Sequence, residues 1–354
     1  MSDPGKRAVL RRVRAFADLS DADCDVVLGV LKARRGAPHD VLFREGDTGR
    51  SLMIVLDGDL VVRARSSAGA DEVVARLGPG EVVGELAFID AEPRSATVAA
   101  GDAPVTVLDF TREALAVLVR DTPRVASAIL RNILADVARR LREAGNRLAS
   151  GGPASERGPV SLGRATRTFS VEELRAVPAF ASYAPEDLAL LAHVAAFRAF
   201  AARDVLFRAG GAGESCFLLA SGEVEVTRPG VALPIATLGP GSLVGQLALL
   251  DRAPRSATVT ATTDTIALEL RADAFANLLR ASSPVALRFQ WQVALAGVRQ
   301  LREATRRLTQ AAAIERSSSL NDLDARSVLD DWDDGSNTAD AITLELAIDP
   351  RSRR

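Results

Sequence analysis

The segment Val83-Gly-Glu-Leu-Ala-Phe-Ile-Asp-Ala-Glu-Pro-Arg-Ser-Ala-Thr-Val98 recurs later in the chain as Val244-Gly-Gln-Leu-Ala-Leu-Leu-Asp-Arg-Ala-Pro-Arg-Ser-Ala-Thr-Val259. The two copies belong to a longer internal repeat, because Val41-Leu-Phe-Arg also matches Val205-Leu-Phe-Arg. Each copy is too long for one repeat of a solenoid, so it is read as a domain. The sequence therefore predicts two copies of one domain.

Composition places the boundaries of these domains. The 354 residues suggest about two domains at roughly 150 residues each. Residues 150–170 are rich in Gly, Pro and Ser and predict a linker between domains at 10–149 and 171–310. The last segment, 311–354, carries the acidic run Asp330-Asp-Trp-Asp-Asp334 and predicts a flexible tail.

The hydrophobic pattern predicts a mainly β unit flanked by helices. Each copy opens on a helical pattern, at Asp21 to Leu31 and at Pro185 to Val194. Short apolar runs bounded by turn residues then predict antiparallel strands: Leu52–Leu56, Leu60–Val62, Val73–Ala75 and Val105–Leu108 in the first copy. A long helical pattern from about Thr122 to Ala149 closes the first copy. We expect a small β-roll between helices.

The repeated segment has the chemistry of an anion site. Gly84 permits a close backbone approach, and Glu85-Leu-Ala-Phe can form one helical turn with free N–H groups at its start. Arg94 follows among small residues, where a guanidinium can pair with a phosphate. Glu85 offers a carboxylate acceptor for a sugar hydroxyl. The segment predicts a site for a small phosphate ester with a free sugar hydroxyl.

Two motifs resemble the cyclic nucleotide-binding domain family. The family's phosphate-binding cassette, G-E-x-A and then R-x-A, is matched by Gly84-Glu-Leu-Ala87 and Arg94-Ser-Ala96. Its second signature is matched by Leu42-Phe43, Gly46-Asp-Thr-Gly49, Leu52–Val55 and Gly58. The resemblance implies two tandem β-roll (jelly-roll) domains, each with N-terminal helices and a C-terminal lid helix. It covers roughly 10–149 and 171–310.

The resemblance also implies binding residues. In the first domain Glu85 would accept the ribose 2′-hydroxyl and Arg94 would pair with the cyclic phosphate. The whole expected site comprises Gly84, Glu85, Leu86, Ala87, Arg94, Ser95 and Ala96. The corresponding residues of the second domain are Gly245, Gln246, Leu247, Ala248, Arg255, Ser256 and Ala257.

The second copy departs from the family pattern at Gln246, which stands where the first copy has Glu85. An amide oxygen still accepts a hydrogen bond, but the charge-assisted contribution is lost. We expect the second pocket to bind about tenfold more weakly or worse. A purely structural role for Gln246 and Arg255 is an alternative, as is a ligand-free ion pair between Arg94 and Glu85.

The identity of the ligand rests on weaker features. In the family, a Thr directly after the cassette Arg is associated with cGMP. Here Ser95 and Ser256 occupy that position, which favours cAMP while leaving cGMP open. The residue that covers the base on the first lid helix is not fixed by the resemblance. Candidates are Leu141, Asn146 and Leu148.

Scarce residue types exclude several other classes of protein. The two cysteines and two histidines are isolated, so neither a zinc site nor a Ser-His-Asp triad is expected. The formal charge of −2 does not favour nucleic acid. We expect no cofactor, no enzymatic activity, no membrane span and a cytoplasmic protein, since no long apolar run or secretory signal is present.

The sequence thus predicts a non-catalytic sensor of cAMP, or less favourably cGMP, that signals to an effector protein through its lid helix and interdomain contacts. Three alternatives stay open. The chain could be a regulatory subunit of a kinase or another enzyme, or a scaffold that has lost its ligand. A transcription factor of the catabolite activator type is less favoured, because the segment after 311 is short and acidic.

Overall fold

The computed structural model describes residues 4–65, 71–148, 158–166, 169–176, 183–231 and 234–304. These residues belong to one compact unit, Met1–Leu308. The predicted tail at 311–354 lies outside the described residues.

The first domain has helices on both sides of a set of short strands. It begins with α1 (Pro4–Arg12), a 3-10 turn (Arg14–Phe16) and α2 (Asp21–Val30). Its strands are β1 (Lys32–Gly36), β2 (Val41–Phe43), β3 (Ser51–Asp57), β4 (Leu60–Arg65), β5 (Asp71–Leu77), β6 (Val82–Val83), β7 (Thr97–Ala100) and β8 (Val105–Thr111). Helix α3 (Glu85–Asp90) lies between β6 and β7, and α4 (Arg112–Asp121) and α5 (Pro123–Leu148) follow β8.

These strands form two antiparallel four-stranded sheets, in the orders β1-β8-β3-β6 and β2-β7-β4-β5. Apolar side chains from both sheets meet in one buried cluster, which includes Val55, Leu60, Val98 and Val107. Alternate residues of each strand point to one face, so the short apolar runs supply this core. The mainly β roll that the sequence predicts is confirmed.

The second domain repeats the architecture. After β9 (Arg164–Ala165), α6 (Val171–Ala176) and α7 (Pro185–Val194) come β10 (Ala196–Phe200), β11 (Val205–Phe207), β12 (Ser215–Ser221), β13 (Val224–Thr227), β14 (Ala236–Leu238), β15 (Leu243–Val244), β16 (Thr258–Ala261) and β17 (Thr265–Arg271). Helix α8 (Gln246–Leu250) follows β15, α9 (Ala272–Arg280) follows β17, and α10 occupies 284–304. The sheet orders are β15-β12-β17-β10-β9 and β11-β16-β13-β14.

Part of the predicted linker packs on the second domain. Strand β9 pairs with β10 and forms the edge of that sheet, and the Ser161 N–H donates to the Val205 carbonyl at 2.8 Å. The Phe169 ring stacks on Phe197 with centroids 4.9 Å apart. Residues 158–166 and 169–170 therefore have fixed contacts, while the domain boundaries stay a prediction.

The predicted elements of the first domain agree with the structure, but four of its strands, β1, β2, β6 and β7, were not among the predicted runs. The four apolar runs lie in β3, β4, β5 and β8, and the predicted lid helix is α5. Strand β1 was not predicted, because Lys32-Ala-Arg-Arg-Gly36 has no apolar alternation. It is a largely exposed edge strand, which forms through its backbone pairing with β8.

The two domains share one hydrophobic core. A single buried cluster includes Phe110 and Ile129 of the first domain and Leu268 and Val298 of the second. Helices α5 and α10 pack closely at Val137 and Gly297. A Cβ added to Gly297 would lie only 2.8 Å from Val137 Cγ1. Val137 and Gly297 occupy equivalent places, each four residues before the repeated Leu-Arg-Glu-Ala motif. The long helices thus cross at the same point of the repeat.

Replacing Gly297 with Leu should therefore lower the free energy of unfolding by about 1–3 kcal/mol, because the added side chain overlaps Val137. Denaturant unfolding of the full chain measures this change. The control is Gly29→Ala in α2, where an added Cβ meets nothing within 4 Å, and where a gain of about 0.5–1 kcal/mol is expected. Unchanged stability in Gly297→Leu would contradict the close helix crossing.

Candidate functional site

Each cassette begins with a glycine in the left-handed region. Gly84 (φ +84°) joins β6 to α3, and Gly245 (φ +83°) joins β15 to α8. A Cβ on Gly84 would lie 2.1 Å from Arg94 Nη1, and one on Gly245 would lie 2.7 Å from Arg255 Nη1. Both the backbone angle and the close approach require glycine. The first-turn N–H groups of each short helix have no acceptor within the helix.

Arg94 is buried beside this turn. Its Nη1 donates to the Gly84 carbonyl at 3.0 Å and its Nη2 to Ser51 Oγ at 3.4 Å. Its guanidinium carbon lies 4.1 Å from the centre of the Phe43 ring. The side chain is 6% exposed, and Nε has no hydrogen-bond partner among the described residues.

Arg255 has the same setting in the second domain. Its Nη1 donates to the Gly245 carbonyl at 2.8 Å and its Nη2 to the Ser215 carbonyl at 2.7 Å. The guanidinium carbon lies 4.2 Å from the centre of the Phe207 ring. This arginine is also 6% exposed, with Nε unpartnered. The repeat has therefore preserved the geometry of the cassette as well as its sequence.

Burial lowers the pKa of both guanidiniums, Arg94 and Arg255. They still carry their charge at neutral pH, because arginine is not deprotonated in proteins. Neither forms a direct ion pair with a described carboxylate, although the charges of Asp109, Glu85 and Asp47 counteract the effect of burial on the pKa of Arg94. A buried cation without a direct partner is costly. An anion bound in the cassette would supply such a partner. The arrangement is that of an anion site.

The second signature motif holds the arginine in place. In the first domain the Gly46 N–H donates to the Arg94 carbonyl and the Arg94 N–H donates to the Asp47 carbonyl, both at 2.9 Å. A Cβ added to Gly49 would lie 2.6 Å from both Ala87 Cβ and Arg94 Nε. The Gly-Asp-x-Gly turn is therefore needed for the cassette to close around its arginine.

Glu85 pairs with the lid helix rather than with Arg94. Its carboxylate accepts a short hydrogen bond from Arg140 Nη1 on α5, and Arg140 Nε also contacts Asp136 at 2.8 Å. The ligand-free ion pair between Arg94 and Glu85, an alternative drawn from the sequence, is not formed. Glu85 is 21% exposed, so its carboxylate is accessible beside the anion site.

A neutral pair replaces this ion pair in the second domain. Gln246 Nε2 donates to Gln300 Oε1 at 2.9 Å, and Gln300 Nε2 donates to the Leu243 carbonyl at 2.9 Å. Gln300 corresponds to Arg140, because each directly precedes the repeated Leu-Arg-Glu-Ala motif. The Glu–Arg pair has thus changed at both positions, which leaves no unpaired charge behind.

The remaining predicted residues lie around the two arginines. Leu86 and Ala87 are in the first turns of α3, as are Leu247 and Ala248 in α8. Ser95 and Ala96 connect Arg94 to β7, and Ser256 and Ala257 connect Arg255 to β16. Ser95 is exposed. The structure therefore brings each predicted set together in one cassette.

Comparisons with known proteins agree with this geometry. A family model for the cyclic nucleotide-binding domain matches residues 33–122 and again residues 197–282, one match in each domain.

The chain belongs to the cyclic nucleotide-binding domain family.

Two curated relatives illustrate the range of this family. The cAMP-dependent protein kinase regulatory subunit of Emericella nidulans is 28% identical over 272 residues, which are 75% of this chain and 56% of that protein. The cyclic AMP receptor protein of Thermus thermophilus is 33% identical over 129 residues, which are 36% of this chain and 57% of that protein. The chain thus spans little more than half the length of either relative.

Solved structures give similar matches. The regulatory domain of Toxoplasma gondii PKA with cAMP is 21% identical, with a TM-score of 0.31, and the match covers 80% of this chain and 92% of that chain. The N-terminal domain of a transcriptional regulator from Streptomyces coelicolor A3(2) is 35% identical, with a TM-score of 0.36, and the match covers 40% of this chain and 99% of that chain.

The second cyclic nucleotide-binding domain contains a cavity of about 730 Å³. Gln246, Arg255 and Ser256 line it, together with Leu141 and Gly145 of α5. Helix α5, the lid helix of the first domain, therefore forms part of the wall of the second pocket.

The position of α5 bears on the expectation that Leu141, Asn146 or Leu148 covers the base in the first pocket. Two of the three candidates face the second domain: Leu141 lines its pocket, and Asn146 accepts a hydrogen bond from Arg228 at 2.9 Å. The side chain of Leu148 lies outside the described residues. The first pocket consequently has no assigned base-covering residue.

One bidentate ion pair connects each long helix to the cassette of the other domain. Arg142 on α5 donates to Asp251 at 2.5 and 3.0 Å, and Arg302 on α10 donates to Asp90 at 2.5 and 3.1 Å. Asp90 and Asp251 are equivalent residues of the repeat, each at or just after the end of the cassette helix. The two contacts are therefore reciprocal.

Sequence reasoning missed these four residues, although they are visible in the repeat. Arg142 and Arg302 lie in the identical Leu-Arg-Glu-Ala motifs, and Asp90 and Asp251 occupy the same place in the two cassettes. The identity of the two copies could have drawn attention to these residues. Only the packing of α5 and α10 shows which aspartate each arginine contacts. An aromatic contact adds to the interface, since the ring centroids of Phe88 on α3 and Trp291 on α10 lie 6.0 Å apart.

The described residues include no helix that is long and apolar enough to cross a membrane. Within the same part of the chain, no three His, Cys, Asp or Glu side chains come together as metal ligands.

Asp90→Ala should destabilise the protein more than Asp251→Ala. The Asp90 side chain is 0% exposed and Arg302 13%, so its removal leaves a buried cation and costs about 3–5 kcal/mol. Asp251 and Arg142 are 21% and 25% exposed, and Arg142 keeps the Pro254 carbonyl as an acceptor. Denaturant unfolding of both variants measures the difference.

The double variant Asp90→Ala/Arg302→Met serves as the control. It removes both charges and should regain much of the lost stability. Equal losses in the two single variants, or no recovery in the double variant, would contradict a buried pair at Asp90.

Proposed function

We propose that this chain is a non-catalytic sensor in which the first cassette binds cAMP and signals through the contacts between the two domains. The observation that carries the proposal is Arg94, a buried guanidinium with an unpartnered Nε beside a glycine turn. The regulatory subunits and receptor proteins among the relatives support a regulatory role rather than a catalytic one.

The residues of the first cassette have complementary tasks. Arg94 pairs with the cyclic phosphate through its free Nε, and the backbone N–H groups of Leu86, Ala87 and Ala96 complete the phosphate cradle. The Glu85 carboxylate accepts a hydrogen bond from the ribose 2′-hydroxyl. Its side chain is 21% exposed, so a ligand can reach it. Ser95 and Ser256 in place of a Thr favour cAMP, and the names of the curated relatives point to the same nucleotide.

The second cassette binds more weakly, since the acceptor at Gln246 is neutral and already hydrogen-bonded to Gln300. Its phosphate subsite nevertheless retains Arg255 in the geometry of Arg94. We therefore expect two sites of unequal affinity in one chain.

Helix α5 can carry the signal between the domains. It contacts the first cassette through Arg140 and the second through Arg142. A ribose hydroxyl that donates to Glu85 competes with Arg140 for the same carboxylate. Ligand binding thereby favours a different position of α5, and only such a difference in affinity between two states can shift their populations. An effector protein in the cytoplasm would read this shift.

Regulation of a kinase is the second candidate, favoured by the similarity to cAMP-dependent protein kinase regulatory subunits over 272 residues. Affinity purification with the full chain as bait tests it. Capture of a kinase catalytic subunit that cAMP releases would support this candidate, and repeated recovery of a different effector would reject it.

Calorimetric titration of cAMP into the full chain tests the sensor proposal. We expect a strong site that disappears in Arg94→Ala, because the phosphate loses its cation. The matched control is Arg120→Ala, an exposed arginine paired with the neighbouring Asp121. Folded, nucleotide-free protein that binds neither cAMP nor cGMP would reject the proposal and leave the scaffold alternative.

Exchange of the polar pairs tests the assignment of Glu85. Glu85→Gln should weaken cAMP binding at the first site about tenfold, since a charge-assisted hydrogen bond becomes neutral. The double variant Gln246→Glu/Gln300→Arg recreates the first-domain pair and should strengthen the second site. Titration of each variant measures both effects. Unchanged affinity at the first site would show that Glu85 does not contact the ligand.

A further inference from the structure

A second cavity, of about 370 Å³, lies where helices of the two domains meet. Its walls come from α4 and α5 of the first domain and from α7, α9 and α10 of the second. Most of the lining is apolar, including Leu115, Val119, Leu190, Val285 and Trp291. None of the described residues that line it belongs to a cassette. The volume is in the range of pockets that hold small organic ligands.

Arg112, the first residue of α4, brings a positive charge to this apolar lining. Its Nε donates to the Phe88 carbonyl and its Nη2 to the Ile89 carbonyl, both at 2.5 Å. Among the described residues, Nη1 has no hydrogen-bond partner and the guanidinium has no ion pair. Burial lowers the pKa of Arg112, although the charges of Asp90 and Glu113 counteract this effect. Donors at Nη1 are therefore available to an anion.

The other charged side chains of the lining are paired with one another. Arg288 Nε donates to both carboxylate oxygens of Asp187, at 2.9 and 2.8 Å, and Nη2 contacts Glu186 at 3.3 Å. The Asp187 carboxylate also accepts from the Ala184 N–H at 3.2 Å. Asp187 is thus neutralised locally, so an anionic ligand beside Arg112 does not face an unpaired carboxylate in the described lining.

We propose that this cavity binds an apolar molecule with one carboxylate, of the class of a medium-chain fatty acid. The carboxylate accepts a charge-assisted hydrogen bond from Arg112 Nη1. The hydrocarbon chain is buried against the apolar lining, which the hydrophobic effect favours. A doubly charged phosphate suits the site less well, because it would bring two charges to one guanidinium whose Nε and Nη2 already donate to carbonyls.

Two structural links connect this site to the nucleotide pockets. Arg112 binds the Phe88 and Ile89 carbonyls, which belong to α3, the helix of the first cassette. Leu191 and Phe289 line both this cavity and the 730 Å³ cavity of the second domain. A bound fatty acid therefore contacts groups that also shape both nucleotide sites, and it changes nucleotide affinity wherever these groups differ between the bound and free states.

Trp291 gives a direct readout of binding. It lines the cavity, and its ring centre lies 5.3 Å from the guanidinium carbon of Arg112. The other tryptophan of the sequence is Trp332. Titration of decanoate into the full chain carrying Trp332→Phe should therefore change the Trp291 fluorescence until the site is saturated. Decanol, which has the same chain length without the charge, is the comparison ligand.

The charge at Arg112 is tested by substitution in this background. Arg112→Gln should weaken decanoate binding about tenfold and leave decanol binding unchanged, since only a charge-assisted hydrogen bond is lost. Arg112→Lys keeps a cation and should retain most of the decanoate affinity. The matched control is Arg120→Gln, which replaces an exposed arginine of the same helix and should change neither affinity.

The cavity itself is tested by filling it. Ala116 is an exposed residue of its lining, so Ala116→Phe should block the cavity without disturbing the core. We expect this variant to lose both decanoate and decanol binding, with denaturant unfolding as the check that it still folds. Because it leaves Arg112 in place, it tests the site even where Arg112→Gln lowers stability.

The proposal is overturned if decanoate does not bind, or if it binds folded Ala116→Phe as tightly as the parent protein. It is also overturned if Arg112→Gln leaves decanoate binding unchanged or weakens decanoate and decanol equally. These titrations contain no nucleotide, so the proposed cAMP sensing stands or falls separately in the calorimetric titrations.

Discussion

The structure depends on two buried guanidinium groups that form no direct ion pair with a carboxylate among the described residues. Arg94 and Arg255 are each bound to backbone carbonyl or hydroxyl oxygens and stacked on a phenylalanine, with Nε unpartnered. Most of the repeated motifs support this placement. The cassette glycine removes a clash, and the Gly-Asp-x-Gly turn of the first domain fixes the arginine backbone. This arrangement is the basis of our proposal that the cassette binds an anion.

Duplication has produced two cassettes that share one core but differ in charge. The Glu85–Arg140 pair of the first domain is replaced by Gln246–Gln300 in the second. Such a paired change keeps the buried polar groups satisfied, because removing one partner alone would leave a charge uncompensated. The long helices then cross at equivalent residues, and each reaches the cassette of the other domain. Each cassette therefore contacts both long helices.

Much of the fold and of the site could be predicted from the sequence. The repeat predicted the two domains, the short apolar runs predicted four strands of the first domain, and the cassette motif brought Gly84, Glu85 and Arg94 together. These features are local, so a short stretch of chain encodes them. Strand β1 was missed because it lies exposed at a sheet edge and its side chains are mostly polar.

The contacts between the domains could not be predicted in the same way. Arg142 and Arg302 look like solvated helix residues until the two helices are packed together. Arg228 is separated from Asn146 by 82 positions, and only the tertiary fold brings them together. Which side chains of a helix are buried depends on the domain that packs against it. A sequence repeat does not encode how its two copies pack together. For that reason the sequence did not show that Leu141 and Asn146, two of the candidate base-covering residues, face the second domain.

A crystal structure of the full chain with cAMP would show directly whether Arg94 holds the nucleotide. We expect the cyclic phosphate of the ligand within hydrogen-bond distance of Arg94 Nε and the N–H groups of Leu86 and Ala87. We also expect the ribose 2′-hydroxyl on Glu85, with Arg140 displaced from that carboxylate. A nucleotide bound elsewhere, with Arg94 Nε still unpartnered, would rule out this role for Arg94.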